Sequence, residues 1–506
     1  MKNSPHLKRT LLAMLLTSAM AAPLSAQTLR IGLQDDADVL DPDQSRTFVG
    51  RIVYTAMCDK LVDISPDLEI VPQLATAWEW SDDASTLTMT LREGVVFHDG
   101  TPFNAEAVVA NIRRSIDLPE SRRRSELASV ASVEAVGEYE VVFTLESPDV
   151  SLLAQLSDRA GMMISPTAAE ASGANFGDNP VCSGPFQFVE RIQQDRIVLD
   201  RFDDYWNADE IHLDRVIYLP IPDTTVRLAN LQSGDLDMME RVAATDAEAV
   251  RNDPGLTYAD VVGLGYTAVY INIANGDRAD NPMGQEKLLR QAFSLAVDRE
   301  AVSQVVFEGT QPAGNQPFPP TSPWYNADIP VPARDVEAAR ALMAEAGYDS
   351  VDVEIQTPNT PVTMQMMQVI QAMVGEAGFN VSLRATEFAT LLSEQTAGNY
   401  QLSRSDWSGR VDPDGNLHQF VTCEGGINDT RYCNEEVDRL LNEARTLVDP
   451  AARKALYDQA SVILTDEAPI IYFGHQSWIW GMQNSVTGFE AYPDGMIRLE
   501  GVRKDG

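Results

Sequence analysis

The chain has 506 residues, of which 75 are acidic and 38 are basic, and its formal net charge is −37 at pH 7. Phosphate backbones would repel a charge of this sign and size, so the composition argues against nucleic acid as a partner. Single hydrophobic cores stop growing at roughly 250–300 residues, so we expect about two or three domains, and a hydrophobic content of 44% is ample for their cores.

The first 26 residues are predicted to be a cleaved export signal. Basic residues precede an almost wholly apolar stretch at 11–22, and small residues lead up to Ala26 as a signal peptidase requires. The apolar stretch is shorter than the roughly 20 residues needed to span a bilayer. The first cysteine, Cys58, is too far along the chain for an N-terminal lipid. We therefore expect an exported and soluble mature protein.

Strand patterns come early in the chain. Alternating apolar and polar residues predict half-buried strands at Leu87–Glu93 and Glu138–Glu146, and a β-hairpin at Phe186–Phe202.

The segment "GLGYTA" at Gly263–Ala268 matches the dinucleotide-binding pattern G-x-G-x-x-A. That pattern requires a helix after the glycines, whose N-terminus would face a pyrophosphate. The residues that follow here, "VYINI", have the composition of a strand. We therefore interpret the segment as the entry to a strand and reject a nucleotide site.

Helical patterns dominate the later part of the chain. Apolar residues at helical spacing in Leu288–Val297 predict a helix that stops at Gly309. Two further helices are predicted to begin at the caps Asp335 and Asp449. The irregular mixture of strands and helices predicts an α/β (mixed α+β) fold with several sheets.

No catalytic or metal-binding motif stands out. The histidines are not at metal-ligand spacing, and "DPDGN" at 412–416 lacks the ligands of a calcium loop, so we interpret it as a tight turn. The patterns G-x-S-x-G, P-loop and H-E-x-x-H are absent from the sequence. We expect a binding protein rather than an enzyme, without a cofactor or a metal.

The four cysteines are expected to form two disulfides in an oxidising compartment. Cys423 and Cys433 flank a short glycine-containing loop, which suits a local bridge. Cys58 and Cys182 are the only partners left for each other, although their separation in sequence says nothing about their distance in space.

The stretch "VPQLATAWEWSDDASTLTMTLREGVVFHDGTPFNAEAVVANIRRS" at Val71–Ser115 resembles a known family signature. It is similar to that of the family 5 extracellular solute-binding proteins, the dipeptide- and oligopeptide-binding components of ABC importers. Similar segments follow in the same order at Cys182–Phe188, Leu288–Glu300, Glu337–Tyr348 and Tyr432–Ala444, so the resemblance covers nearly all of the mature chain.

The same stretch predicts its own local structure. Asp99 and Gly100 suit a turn, and Asn104 suits the N-cap of a helix. His98 is therefore interpreted as structural rather than functional.

The resemblance implies a two-lobed fold with an additional domain and a ligand cleft between lobes that close by hinge motion. Lobe I would be built from residues 27–60, 184–270 and 484–506. The additional domain II would be residues 61–183, and lobe III would be residues 271–483.

Peptide-binding relatives typically place an aspartate after the tryptophan of the cleft, where it pairs with the peptide's ammonium group. Aligned by Trp407 and Gly409, the residue at that position here is Arg410, so the charge is inverted. Dipeptide binders bind the peptide carboxylate with an arginine near the start of the preceding helix, but the matching region here, "NTPVTMQMMQVIQ" at 359–371, contains no basic residue. The chain thus departs from the family at both positions that would hold a zwitterionic dipeptide.

An arginine that faces a cleft suits a carboxylate or a phosphate. The alternative is that Arg410 pairs with Asp412 or Asp414 and only braces its loop. Trp407 would supply a flat apolar wall. The candidate ligand-binding residues are Trp407, Arg410, Asp412, Arg404, Tyr266 and Phe48.

The leading hypothesis is a periplasmic receptor, expected to be a monomer, that delivers a peptide or peptide-like solute to an inner-membrane ABC permease. One alternative is the same type of receptor for an opine, an acidic conjugate or an oligosaccharide. Another is an exported hydrolase or a chaperone-like peptide binder.

Overall fold

The computed structural model describes residues 27–505. The predicted export signal, residues 1–26, lies outside the described residues. The strands of the described part form three main sheets, of seven, five and four strands, together with smaller pairs. This architecture confirms the predicted mixed α/β class with several sheets. None of the described helices combines the length and the apolar composition needed to cross a bilayer.

The strands of residues 27–505, in chain order, are β1 (Thr28–Leu33), β2 (Val62–Ile64), β3 (Ile70–Pro72), β4 (Ala75–Trp80), β5 (Thr86–Leu91), β6 (Val130–Gly137), β7 (Glu140–Leu145), β8 (Phe186–Ile192), β9 (Arg196–Arg201), β10 (Arg215–Pro220), β11 (Met238–Met239), β12 (Leu256–Val262), β13 (Tyr266–Ile271), β14 (Val351–Pro358), β15 (Phe379–Thr386), β16 (Leu402–Trp407), β17 (Ile470–Gly474), β18 (Ser477–Gln483), β19 (Val486–Thr487) and β20 (Arg503–Lys504).

The α-helices of the same part are α1 (Phe48–Met57), α2 (Ala105–Asp117), α3 (Leu152–Gln155), α4 (Pro166–Ser172), α5 (Thr224–Ser233), α6 (Ala244–Asn252), α7 (Pro282–Gln285), α8 (Lys287–Leu295), α9 (Arg299–Phe307), α10 (Val336–Glu345), α11 (Pro361–Gly375), α12 (Phe388–Thr396), α13 (Asp414–Val421), α14 (Glu435–Arg445) and α15 (Pro450–Glu467).

The seven-stranded sheet has the order β12-β18-β11-β1-β10-β9-β8. Strand β1 pairs in parallel with both β10 and β11, and its alternate residues Leu29, Ile31 and Leu33 are buried in the largest hydrophobic core. Strand β18 falls within the range predicted for lobe III, but it pairs with β11 and β12 of this sheet. The first sheet is therefore built from both ends of the chain.

The four-stranded sheet, β4-β5-β7-β6, is antiparallel and packs against helix α2. Asn104 caps this helix as predicted, because its side chain accepts a hydrogen bond from the backbone N of Ala107 at 3.0 Å. The predicted structural role of His98 fits its surroundings. Its Nε2 lies 2.9 Å from the carbonyl oxygen of Gly184, and burial lowers its pKa to about 4, so the ring is neutral.

The five-stranded sheet, β15-β14-β16-β13-β17, is covered on both faces. Strand β13 shows this most clearly, since all six of its residues are buried. Its residues Val269 and Ile271 face one hydrophobic core, whereas Tyr266, Ala268 and Tyr270 face another. Continuous burial of this kind is typical of a sheet between two layers of helices.

Two short connections join the first sheet to the five-stranded sheet. Residues 263–265 lead from β12 to β13, and residues 475–476 lead back from β17 to β18. Two hydrogen bonds join these connections. The backbone N of Gly263 donates to the carbonyl of Gln476 at 2.7 Å, and Nδ1 of His475 lies 3.0 Å from the carbonyl oxygen of Gly265. A Cβ on Gly265 would lie 1.9 Å from a carbonyl oxygen. The glycines of "GLGYTA" thus serve a close backbone crossing before a strand, as interpreted.

Both predicted disulfides are present. Cys423 is joined to Cys433 across the loop after α13, with their Cα atoms 4.5 Å apart. Cys58, at the end of α1, is joined to Cys182, with their Cα atoms 4.8 Å apart. The second bridge therefore ties the first sheet's helix α1 to the segment that leads back into β8.

Candidate ligand-binding site

Strand β16 ends at Trp407, and the loop that follows presents Arg410. Gly409 has a φ of +83°, and a Cβ there would lie 2.3 Å from the carbonyl carbon of Leu264, so only glycine fits. Asn416 then holds the loop. Its Oδ1 accepts from the backbone N of Arg410 at 2.8 Å and from Nε1 of Trp407 at 2.9 Å, and its Nδ2 donates to the carbonyl of Arg410 at 2.7 Å. The loop is therefore fixed without the guanidinium group of Arg410.

The two aspartates of the same turn have other partners. Arg453 donates two hydrogen bonds to Asp412, at 2.7 and 2.9 Å, and Arg445 donates two to Asp414, at 2.6 and 2.7 Å. Within residues 27–505, Arg410 forms no ion pair with a carboxylate. Pairing of Arg410 with Asp412 or Asp414, the alternative that would brace the loop, is therefore not observed.

The side chain of Arg410 makes only local contacts. It donates to the carbonyl of Gly409 at 2.8 Å and to Ser408 at 3.4 Å, and its guanidinium carbon lies 4.6 Å from the ring centre of Trp407. The group is partly exposed and keeps donors for a further partner.

Three more arginines lie near Arg410, and we call Arg51, Arg123, Arg159 and Arg410 the arginine cluster. They come from separate parts of the chain: helix α1, the connection between α2 and β6, the segment after α3, and the loop after β16. Arg123 and Arg159 both donate to the carbonyl of Ser45, each at 3.1 Å, so their guanidinium groups meet at one acceptor. Fewer than a tenth of the surfaces of Arg51, Arg123 and Arg159 are exposed.

Two carboxylates lie among these guanidinium groups. Asp158 Oδ1 lies 3.0 Å from Nε of Arg51 and 4.0 Å from Nε of Arg159, and Glu126 pairs with Arg123. Four positive charges therefore face two negative charges. The arginine cluster keeps a surplus of about two positive charges in a chain whose overall charge is −37.

The charges of the arginine cluster act strongly on one another. Burial alone would raise the pKa of Asp158, but the guanidinium groups of Arg51 and Arg159 outweigh it and hold that pKa well below its usual range. Burial, followed by the charge of Arg123, lowers the pKa of Arg159 to about 10. Burial also lowers the pKa of Arg410. Arg159 still carries its charge at neutral pH, and a bound anion would relieve the repulsion among the guanidinium groups.

Several polar atoms of the site have no partner in the described part of the chain. The Nε atoms of Arg123 and Arg159 and the Oε2 atom of Glu126 are buried and form no hydrogen bond there. Buried polar atoms without partners are rare in native proteins. Unpaired buried donors fit a site that is completed by the acceptor atoms of a ligand.

A narrow crevice opens where Arg51, Asp158 and Arg410 meet. Its volume of about 20 Å³ has room for roughly one water molecule. Asp412 and Asp494 also line the crevice, but each is paired with an arginine outside the arginine cluster. The excess positive charge is therefore not neutralised by the other carboxylates of the crevice.

Phe48 lies beside the arginine cluster. It begins helix α1, stacks on Trp478 with ring centres 4.6 Å apart, and lies 5.9 Å from the guanidinium carbon of Arg51. The structure thus brings three of the predicted residues, Phe48, Arg410 and Asp412, to the crevice or its immediate neighbours, and Trp407 underlies Arg410.

Tyr266 and Arg404 lie elsewhere. Tyr266 is fully buried and packs edge-on against Tyr472, with ring centres 4.9 Å apart. Arg404 lies on the face of β16 opposite to Trp407 and pairs with Asp406 at 2.8 Å. Their part in ligand binding stays a prediction, and the function proposed below does not depend on it.

Sequence reasoning missed Arg51, Arg123 and Arg159. One signal was available, because Arg122, Arg123 and Arg124 form a run of three basic residues in a strongly acidic chain. In the structure the outer two are exposed and only Arg123 is buried. Among residues 27–505 no group of three or more His, Cys, Asp or Glu side chains is suited to a metal ion.

Comparisons with known proteins agree with this architecture. The chain is 28% identical to the dipeptide-binding protein of Escherichia coli K12, over 96% of both chains. It is 31% identical to the heme-binding protein A of Haemophilus influenzae, over 87% of this chain and 85% of the relative.

Solved structures show the same two-lobed periplasmic binding protein fold. The AgaA protein of A. tumefaciens R10, in complex with agropinic acid, is 26% identical, has a TM-score of 0.81, and is matched over 95% of this chain and 99% of its own. The pattern of the family described as "Bacterial extracellular solute-binding proteins, family 5 Middle" matches residues 69–428. The chain therefore belongs to the family 5 bacterial extracellular solute-binding proteins.

Proposed function

We propose that this protein is the periplasmic solute receptor of an ABC importer and that it captures a small, peptide-like solute carrying at least two acidic groups. The observation that carries the proposal is the arginine cluster, whose four guanidinium groups face, within residues 27–505, the two carboxylates of Asp158 and Glu126. Burying unpaired like charges is costly, and the cost falls when a ligand supplies the missing opposite charge.

The sign of the charge separates the candidate solutes. A free ammonium group, as in an ordinary dipeptide, would be repelled at the crevice, because Arg410 occupies the position where relatives resembling this chain place an aspartate. An uncharged oligosaccharide would leave the surplus charge unpaired. An acidic compound that is not a peptide is the second candidate, and the related structure in complex with agropinic acid supports it.

Capture would require the parts of the molecule to separate and close. The crevice has room for roughly one water, so a solute cannot enter without movement. The connections 263–265 and 475–476, which run side by side between two sheets, suit a hinge. We propose that the protein acts as a monomer and delivers its solute to a membrane permease.

The proposed division into two lobes and an additional domain is supported by the three main sheets. The pairing of β18 favours one change to the predicted boundaries. It moves residues 477–483 from lobe III to lobe I.

The test is mass spectrometry of the small molecule that the purified protein releases on denaturation. We expect a compound with at least two acidic groups. A calorimetric titration with N-acetyl-Glu-Glu and with Lys-Lys is the matched comparison, and only the acidic peptide should bind. Release of a cationic or neutral solute, or tighter binding of Lys-Lys, would contradict the proposal.

A further inference from the structure

An apolar cavity lies beside the arginine cluster. Its volume is about 530 Å³, within the range of about 300–1,000 Å³ that small-molecule pockets occupy. At about 30 Å³ for each water-sized group, this space holds well over ten non-hydrogen atoms. The cavity is far larger than the crevice between the arginines.

Three of the chain's seven tryptophans line the cavity. Trp78 and Trp80 are two residues apart on the edge strand β4, so they present one face of the four-stranded sheet. Trp324 lies on the other wall and packs against Tyr457, with ring centres 5.7 Å apart. All three are only partly buried, although large aromatic side chains usually gain from full burial.

Two smaller apolar residues of the lining are also unusual. Leu68 has a φ of +68°, in the left-handed region that residues with a Cβ atom rarely adopt. Val448 exposes 50% of its surface at the cavity. Strained backbone and exposed apolar side chains in one place are typical of binding sites.

The cavity adjoins the crevice of the arginine cluster. Ala154, Val411 and Asp412 line both spaces. The two walls come from different parts of the chain, and the backbone N of Val150 donates to the carbonyl of Arg445 at 3.0 Å where they meet. The closure proposed above would therefore form the crevice and the cavity together.

We infer that the cavity binds the apolar part of the same solute, an aromatic ring or an acyl chain, while the arginine cluster binds its acidic groups. The solute would thus be an amphipathic acid, such as an acidic amino acid or peptide with an N-acyl or N-aryl group. This inference rests on the proposed function for the acidic end and on the tryptophan-lined cavity for the apolar end.

The test is a calorimetric titration with N-acetyl-, N-hexanoyl- and N-decanoyl-glutamate. Each methylene group that leaves water raises affinity by about fourfold when fully buried. The four additional methylene groups of the hexanoyl compound should therefore raise affinity at least tenfold over the acetyl compound.

Two valines provide a matched pair of variants. Val448 lines the cavity and Val462 lies outside it on α15, and they expose 50% and 55% of their surfaces. Val448→Asp should lower affinity for the decanoyl compound at least tenfold and change that for the acetyl compound less than twofold. Val462→Asp should change neither. Trp78→Ala should reduce the dependence on chain length in the same way as Val448→Asp.

The possible results separate the inference from the proposed function. In the first possible result, the three compounds bind with equal affinity and Arg410→Ala weakens their binding. That result would overturn the proposed role of the cavity and leave the acidic site in place. In the second possible result, affinity still rises with acyl-chain length when both carboxylates of the N-acyl-glutamates are replaced by uncharged amides, and Arg410→Ala does not change it. That result would support the cavity and overturn the acidic site. Failure of all three compounds to bind at millimolar concentration would overturn both.

Discussion

Replacing Arg410 by alanine should separate binding from stability. The side chain makes two hydrogen bonds to its immediate neighbours and lies 4.6 Å from the ring centre of Trp407, a partly exposed contact worth about 0.5–1 kcal/mol. Its removal also relieves repulsion within the arginine cluster. We therefore expect the free energy of unfolding of the ligand-free protein to fall by about 1 kcal/mol or less.

Affinity should respond far more strongly. Truncating one partner of a desolvated charged pair costs about 2–5 kcal/mol, which is roughly a 30-fold to several-thousand-fold weaker binding of the acidic solute. Calorimetric titration and denaturant unfolding of the same ligand-free samples would give both quantities.

Arg453→Ala is the control for this experiment. Arg453 is buried and donates two hydrogen bonds to Asp412, so its loss leaves a buried carboxylate unpaired and should destabilise the protein by about 3–5 kcal/mol. If Arg410→Ala destabilised the ligand-free protein as much as Arg453→Ala and left affinity unchanged, the reasoning about the arginine cluster would be refuted.

Three further predictions concern pH, the disulfide and motion. Burial raises the pKa of Asp59 to about 7, so the folded state holds a proton there more tightly than the unfolded state. The free energy of unfolding should therefore fall as the pH rises from about 4 to about 7. Asp59→Asn should flatten that slope in urea unfolding curves, and an unchanged slope would contradict the assignment. Replacing both Cys423 and Cys433 by alanine should lower the free energy of unfolding by about 2–3 kcal/mol, the stabilisation expected of a disulfide that closes a short loop. An unchanged midpoint of urea unfolding would contradict this prediction. A solute at a hundredfold excess over its dissociation constant should raise the free energy of unfolding by about 2.7 kcal/mol. It should also reduce the protein's radius of gyration in X-ray scattering, and an unchanged radius would argue against closure.

Much of the fold could be predicted because local signals agreed with the final structure. Asn104, Asp335 and Asp449 each cap the helix that the sequence placed after them. The predicted helix from Leu288 to Gly309 is instead two helices, α8 and α9. Asp298 interrupts the apolar pattern, and its side chain accepts a hydrogen bond from the backbone N of Ala301 at 2.9 Å, which starts a new helix.

The candidate site was predicted only in part, for a different physical reason. Arg410 could be found because its neighbours Trp407 and Gly409 aligned it with a known pattern. The partners Arg51, Arg123 and Arg159 lie far from it in sequence, and no periodicity or spacing reports which distant segments meet in space. The pairing of Asp412 with Arg453 rather than with Arg410 likewise depends on where α15 packs.

The place of β18 in the first sheet sets the order in which the molecule can be completed during synthesis. Within residues 27–505, strand β12 joins the sheet only through β18, which pairs with it on one side and with β11 on the other. The sheet that contains β1 therefore cannot be completed until residues 477–483 have left the ribosome. Such long-range pairing is slow to form, and until then the strand edges stay open. We expect this topology to delay completion of the first sheet, which would suit a protein that is exported before it folds, as proposed above.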